Sequence, residues 1–178
     1  MGTEESTRER IQAAALQLFR ERGSEKTSLR EIAEQLDVSK AALYYHFRTK
    51  DELIASLAAP YVDGFRELLD AAEQEADGDL APRLVEGYID LLFDQRPLVA
   101  WLRDDLAVRV HPAIGPVLAE LGERLLVLLG GGDMSFEDQV RATAALGAIA
   151  AGASSYPDAG SDELREPLLK AAWAVLGR

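Results

Sequence analysis

The 178-residue chain has no cysteine and only two histidines, so disulfides, thiolate nucleophiles and cysteine metal sites are excluded. A reducing, cytoplasmic setting is the expectation for such a chain. His46 and His111 stand far apart, and neither a nucleophile elbow nor a phosphate-cradling glycine loop occurs. Asp104 and Asp105 are adjacent, but neighbours on a helix point about 100 degrees apart and are poorly placed to share a proton or a metal. No enzymatic activity, cofactor or metal is therefore expected. Long apolar runs are missing too: residues 142–153 form the longest uncharged small-apolar stretch, too short and too rich in alanine and glycine to span a bilayer. The N-terminus is acidic, unlike a signal peptide. A basic excess is absent as well. The net charge of -12 argues against a general nucleic-acid coat or a binder of anionic membranes.

What is present is helix punctuation. The chain reads as all-α, with about nine helices and no convincing strand. Thr7 caps a first helix with Ile11, Ala14, Ala15, Leu18 and Phe19 on one face, ended by Gly23. Thr27 or Ser28 caps a second, whose apolar Leu29, Ile32, Ala33 and Leu36 recur at three and four residues and which stops at Asp37. Ser39 caps a third, in which Leu43 and Phe47 point inward. Lys40, Ala41, Tyr44 and Tyr45 are left on or near its outer surface, since two adjacent tyrosines cannot both be core. This is a helix-turn-helix, a unit that lays its second helix in the major groove of duplex DNA. Lys40 can seek guanine O6 or N7, Ala41 and Ala42 offer methyl contacts, and tyrosine hydroxyls suit phosphates. Arg30 reads equally as a DNA contact and as a solvated helix arginine.

The segments LFRERG, TSLREIA, VSKAALYYHF and KDEL follow one another here, and on them the first third of the chain resembles the TetR family of bacterial transcription regulators. The resemblance implies that His46 makes a phosphate or base-edge contact and that Lys50 reaches a phosphate. Ser28 and Ser39, at the starts of the two helices, complete the candidate DNA-facing set.

The charge distribution agrees. Residues 1–50 hold nine Lys/Arg and eight Asp/Glu, whereas the remainder holds ten and 23, so the balances of +1 and -13 make up the total of -12. An acidic protein binds DNA when its cations gather at one end and its acid is kept away. The expected division is a helix-turn-helix DNA-binding domain over residues 1–50 and a helical effector-binding and dimerisation domain over 51–178.

In that second part a helix from Asp51 towards Ala76 carries Pro60 and Gly64, which predict a kink or break. Turns are expected at residues 77–79 and 130–132, with helices over 81–95, 97–109, 113–129, 135–155 and 164–176. The candidate effector pocket comprises Phe65, Tyr88, Trp101, Asp105 and His111, an apolar set with a few polar tips. Ordinary core burial is the competing reading of its aromatics. The penultimate helix has little side-chain bulk, and Ala144, Gly147, Ala148 and Ala151 with Leu168, Ala172 and Val175 of the last helix form a candidate dimer interface. The resemblance implies a four-helix bundle built from those two helices of each copy; burial within one chain is the alternative. The expected function is a dimeric, ligand-responsive DNA-binding regulator, a repressor released from a palindromic operator by a small molecule. The competing class is a helical small-molecule-binding or protein-interaction module that does not read DNA.

Overall fold

The computed structural model describes residues 6–74, 80–130 and 134–177, and among these the secondary structure is helical, with no strand. The helices are α1 (Thr7–Arg22), α2 (Leu29–Gln35), α3 (Lys40–His46), α4 (Lys50–Gln74), α5 (Leu80–Asp94), α6 (Arg96–Asp104), α7 (Leu106–Arg109), α8 (Gly115–Gly130), α9 (Phe136–Ser155) and α10 (Ser161–Leu176). They fall into two compact units. One takes in the chain up to Pro60 together with Trp101–Gly115; the other comprises Tyr61–Ala100 and Pro116–Arg178. None of the described helices is long and apolar enough to cross a membrane.

Three serines start the three helices of the first unit. Ser6, Ser28 and Ser39 are N-caps in extended conformation, and each side chain accepts an amide of the first turn. At Ser6 and Ser28 the exchange is reciprocal, because Glu9 and Glu31 reach back to the cap amide. Those contacts hold both carboxyls below the ordinary range, the backbone bond at Ser6 leading for Glu9 and the Ser28 hydroxyl leading for Glu31. Gly23 ends α1 with φ 85, a conformation that glycine adopts without penalty. Ile11, Ala15, Leu18 and Phe19 of α1 join Ile32, Leu43, Phe47 and Leu53 in a core that excludes solvent almost completely. Each such large side chain contributes about 1.5–3 kcal/mol on burial.

In the second unit α9 and α10 pack on each other and on α5. Phe65, Leu69, Leu84, Ile89, Leu92, Leu121, Ala145 and Ile149 are buried there. Arg165 of α10 is paired with Asp90 of α5, and Arg124 of α8 with Asp70 and Glu73 of α4.

Several expectations change. The helix predicted over 97–109 is two, because Asp105 leaves the helical conformation (φ -91, ψ 102) and its carboxylate accepts the Ala107 amide at 3.1 Å, starting α7. Ten helices replace nine among the described residues. α4 runs through Pro60 without interruption, and the boundary of the two units falls between Pro60 and Tyr61. Gly64 has a packing role instead: a Cβ there would stand 2.8 Å from Leu91 Cδ1. α10 begins at Ser161, earlier than predicted, and contains Pro167. Gly130 belongs to α8. The expected turns at 77–79 and 131–132, the end of α4 at Ala76 and the acidic first five residues lie outside the described residues.

Candidate nucleic-acid interface

The turn between α2 and α3 is built from backbone bonds. The Val38 amide donates to Ala33 O at 3.1 Å and the Asp37 amide to Glu34 O at 3.3 Å. With Asp37 at φ 52, this is a Schellman closure in which an aspartate occupies the position that glycine usually takes. α3 then starts at once on the Ser39 hydroxyl, which accepts the Ala42 amide at 3.1 Å.

Leu43 and Phe47 anchor α3 with no solvent exposure. The opposite side is open: Lys40 and Ala41 are exposed, Tyr44 is 49% and Tyr45 85% exposed, and Ala42 and His46 are partly so. Two phenols this exposed are not held in the core, and their open sides face water or a partner. Lys40 has no ion-pair partner among the described residues. The far end of α3 is fixed by Arg8 of α1, whose guanidinium lies 4.3 Å from the Phe47 ring centroid and donates to His46 O at 3.2 Å. The sequence reading missed Arg8, and nothing in the spacing alone marks it. His46 also meets the Tyr45 ring edge-on, with centroids 5.2 Å apart.

The remaining members of the candidate set are engaged within the protein. The Ser28 hydroxyl is held between the Glu31 carboxylate (2.7 Å) and amide (3.3 Å). Arg30 Nε donates to Glu34 at 2.7 Å in an exposed pair, an arrangement that costs little to open. Lys50 departs furthest from expectation. Its ammonium donates to the carbonyls of Ser24 (2.7 Å), Thr27 (3.3 Å) and Glu25 (3.4 Å), so its donors are engaged in the α1–α2 connection.

The effector-site candidates divide between the two units. Trp101 is buried and stacks on Phe19 with centroids 5.6 Å apart, and its Nε1 donates to Asp105 Oδ2 at 3.3 Å. Asp105 also accepts the Ser24 amide at 2.7 Å. Burial acts to raise the Asp105 carboxyl pKa, but the bonds from Ser24, Trp101 and Ala107 outweigh it and hold the group below the ordinary range. His111 Nδ1 accepts the Ala113 amide at 3.2 Å, and its Nε2 stands 3.5 Å from Asp51 Oδ1. These three residues belong to the first unit, Phe65 and Tyr88 to the second. Phe65 lies between Tyr61 and Tyr88, with centroids 5.8 and 5.6 Å away. Burial, the leading cause at each, raises both phenols' pKa above the ordinary tyrosine value.

The small residues of α9 face two ways. Ala142, Ala145, Ile149 and Ala153 are buried, and a Cβ on Gly152 would meet Leu168 Cδ2 at 2.4 Å, so the glycine admits the leucine of α10. Ala144, Gly147, Ala148 and Ala151 are exposed, and a Cβ at Gly147 would meet nothing within 4 Å. Of the α10 candidates, Leu168 and Ala172 are buried within the chain and Val175 is partly exposed.

A trihelical head whose third helix leaves lysine and tyrosine unpartnered is a helix-turn-helix of the kind that binds DNA. Residues 11–57 match the family model described as bacterial regulatory proteins, tetR family. The chain is 34% identical over 126 residues to the HTH-type transcriptional repressor Rv3405c of Mycobacterium tuberculosis, covering 63% of this chain and 67% of that one. It is 33% identical over 89 residues to the probable HTH-type transcriptional regulator YttP of Bacillus subtilis, covering 50% of this chain but only 42% of YttP. Matches of this second kind span less than half of the relative's length. Among solved structures, AmtR of Mycobacterium smegmatis superposes with a TM-score of 0.75 at 28% identity, over 99% of this chain and 89% of that one. The chain belongs to the TetR family of bacterial transcriptional regulators.

Proposed function

We propose that the protein is a cytoplasmic, dimeric transcriptional repressor that binds a palindromic duplex operator through α3 and is released from it by a small molecule. The observation that carries the reading is the open side of α3, with Lys40, Tyr44 and Tyr45 exposed and the backbone beneath them fixed by the Ser39 cap and the buried Leu43 and Phe47. Base edges and phosphates supply the acceptors that this face lacks. Ser28, Ser39 and Lys50 serve it as positioning groups, Arg30 and His46 as its flanks.

Dimerisation is supported by the exposed side of α9. Phe136 and Val140 are 81% and 51% exposed, and with Ala144, Gly147, Ala148 and Ala151 they recur at helical spacing along one stripe. Large apolar groups followed by small ones make a surface on which a second copy's helix can approach closely. Two copies related by a two-fold axis present two α3 helices, and operator symmetry then follows protein symmetry. Release follows when a ligand favours a separation of the two heads that does not match successive major grooves. The identity of one relative as a repressor favours repression.

Selection of bound duplexes from a random pool, followed by affinity measurement over a range of salt concentrations, tests the reading. An inverted-repeat sequence bound with a steep salt dependence is expected. Failure to enrich any duplex at low ionic strength overturns it in favour of a helical module without DNA reading.

A further inference from the structure

Arg8 stands in the first turn of α1 and is exposed, yet its guanidinium is held in place. The group lies 4.3 Å from the centroid of the Phe47 ring, and Nη1 donates to the His46 carbonyl at 3.2 Å. Phe47 has no solvent exposure, so the cation rests on a ring that is itself fixed in the core. Arg8 forms no ion pair among the described residues. The carboxylate of Glu9, its neighbour in the chain, accepts the Ser6 amide at 2.7 Å. A guanidinium has five N–H donors and is always charged, so one bond to a carbonyl leaves its charge and most of its donors unmatched.

The position of the group gives those donors a use. His46 is the last residue of α3, and the final carbonyls of a helix carry partial negative charge, which opposes the approach of an anion. The last turn, Leu43 to His46, contains no lysine or arginine of its own. Arg8 supplies that cation from another helix. His46 in turn meets the Tyr45 ring edge-on, and Tyr45 is 85% exposed. An arginine, an imidazole and a phenol thus lie next to one another at the C-terminal end of α3, and all three are groups that donate to phosphate oxygens. Other cations of the head are already engaged: Arg30 is paired with Glu34, and the Lys50 ammonium with three carbonyls.

We infer that Arg8 is a DNA-binding residue, whose guanidinium holds a backbone phosphate of the duplex at the C-terminal end of α3 while its stacking on Phe47 fixes where that charge stands. This rests on the DNA-binding reading above and adds a phosphate anchor on α1, outside the helix-turn-helix itself.

The test measures the affinity of the intact protein for a mixed-sequence duplex against salt, since a phosphate contact is made whatever the sequence. Arg8→Gln lowers the slope of log affinity against log salt by about one for each engaged head and weakens binding at low salt by about tenfold or more. Arg8→Lys keeps the charge but not the planar stack, and it restores the slope and most of the affinity. Thermal unfolding of all three proteins reports the structural share of the residue separately. A second measurement needs no variant and stands if Arg8→Gln folds poorly: phenylglyoxal, which modifies accessible guanidinium groups, labels Arg8 in the free protein, and the duplex suppresses that labelling. The inference is overturned if Arg8→Gln keeps the original slope, if Arg8→Lys loses as much slope as Arg8→Gln, or if the duplex leaves the labelling of Arg8 unchanged. A lowered Tm with the slope intact would make Arg8 a strut between α1 and α3 and nothing more. Absence of duplex binding by the unaltered protein at low ionic strength overturns the DNA-binding reading itself, an outcome distinct from all of these.

Discussion

Ser24 and Asp105 stand 81 positions apart in the chain, and the amide of the first donates to Oδ2 of the second at 2.7 Å. The Ser24 carbonyl is taken by Lys50 Nζ, also at 2.7 Å, so one residue of the α1–α2 connection is held at both its amide and its carbonyl by charged groups. Ser24 and Thr27 are the buried polar residues of this unit, and the Thr27 hydroxyl closes the same loop on Gly23 O at 3.0 Å. Since Thr27 directly precedes Ser28, the N-cap of α2, this arrangement fixes the backbone that leads into the helix-turn-helix.

Lys50→Met keeps the aliphatic stem and removes the donors from three carbonyls. It is expected to lower stability by about 1–3 kcal/mol in chemical denaturation. The slope of log affinity for DNA against log salt should stay at its original value. A slope reduced by about one, with unchanged stability, would assign the ammonium to a phosphate after all.

Asp105→Asn replaces an anionic acceptor of three donors and should cost about 1–3 kcal/mol at neutral pH. The folded carboxyl pKa lies below its ordinary value, so this stabilisation is present above the ordinary carboxylate range and is lost as pH falls through the folded pKa. Melting curves of the two proteins should therefore differ at pH 7 and begin to converge only once the pH falls below about 4. A gap that persists undiminished in acid would refute the assignment.

Asp37→Gly should stabilise the head by about 0.5–1 kcal/mol, because glycine takes the positive φ without the Cβ penalty. Operator affinity measured at the same temperature should not change, as the turn geometry is retained.

Lys40→Ala and Tyr44→Phe touch only the open side of α3 and should leave the Tm within about 1 °C of the original, a change of less than ~0.5 kcal/mol. Lys40→Ala is expected to weaken DNA binding by about 1–3 kcal/mol if it reads a base. If it meets a phosphate instead, the loss is uniform across sequences and the salt slope falls by about one.

Gly147→Leu and Gly152→Leu separate the two sides of α9. The first adds a side chain to open space and should leave the fold intact while shifting sedimentation towards the monomer; an unaltered dimer would place the subunit contact elsewhere. The second collides with Leu168 and should destabilise the chain itself by about 1–3 kcal/mol or more.

The parts legible in sequence are those governed by neighbours in the chain. The apolar spacing of α1 to α3 and the caps Ser28 and Ser39 needed no tertiary information, and Leu43 and Phe47 fall in the core while Tyr44 and Tyr45 fall outside it. What stayed hidden depends on distant partners. Asp105 is a good N-cap residue and could have marked the start of α7, but its commitment depends on the amide of Ser24, which carries no signature. Lys50 reads as a free cation because its acceptors are backbone carbonyls, invisible to any residue pattern. Arg8 is hidden for a related reason, since its hold on Phe47 and His46 shows only once α1 and α3 are folded together. Pro60 predicts a kink or break, yet α4 runs through it, and α10 likewise contains Pro167.

The placement of Trp101 has a practical result. The chain has two tryptophans, and they fall in different compact units: Trp101 against Phe19, and Trp173, partly exposed, on α10. Intrinsic emission can therefore be split by unit, with a Trp173→Phe protein glowing only from the indole that shares a carboxylate with Ser24. Loosening of that carboxylate, whether by acid or by heat, becomes a wavelength shift readable without any attached dye.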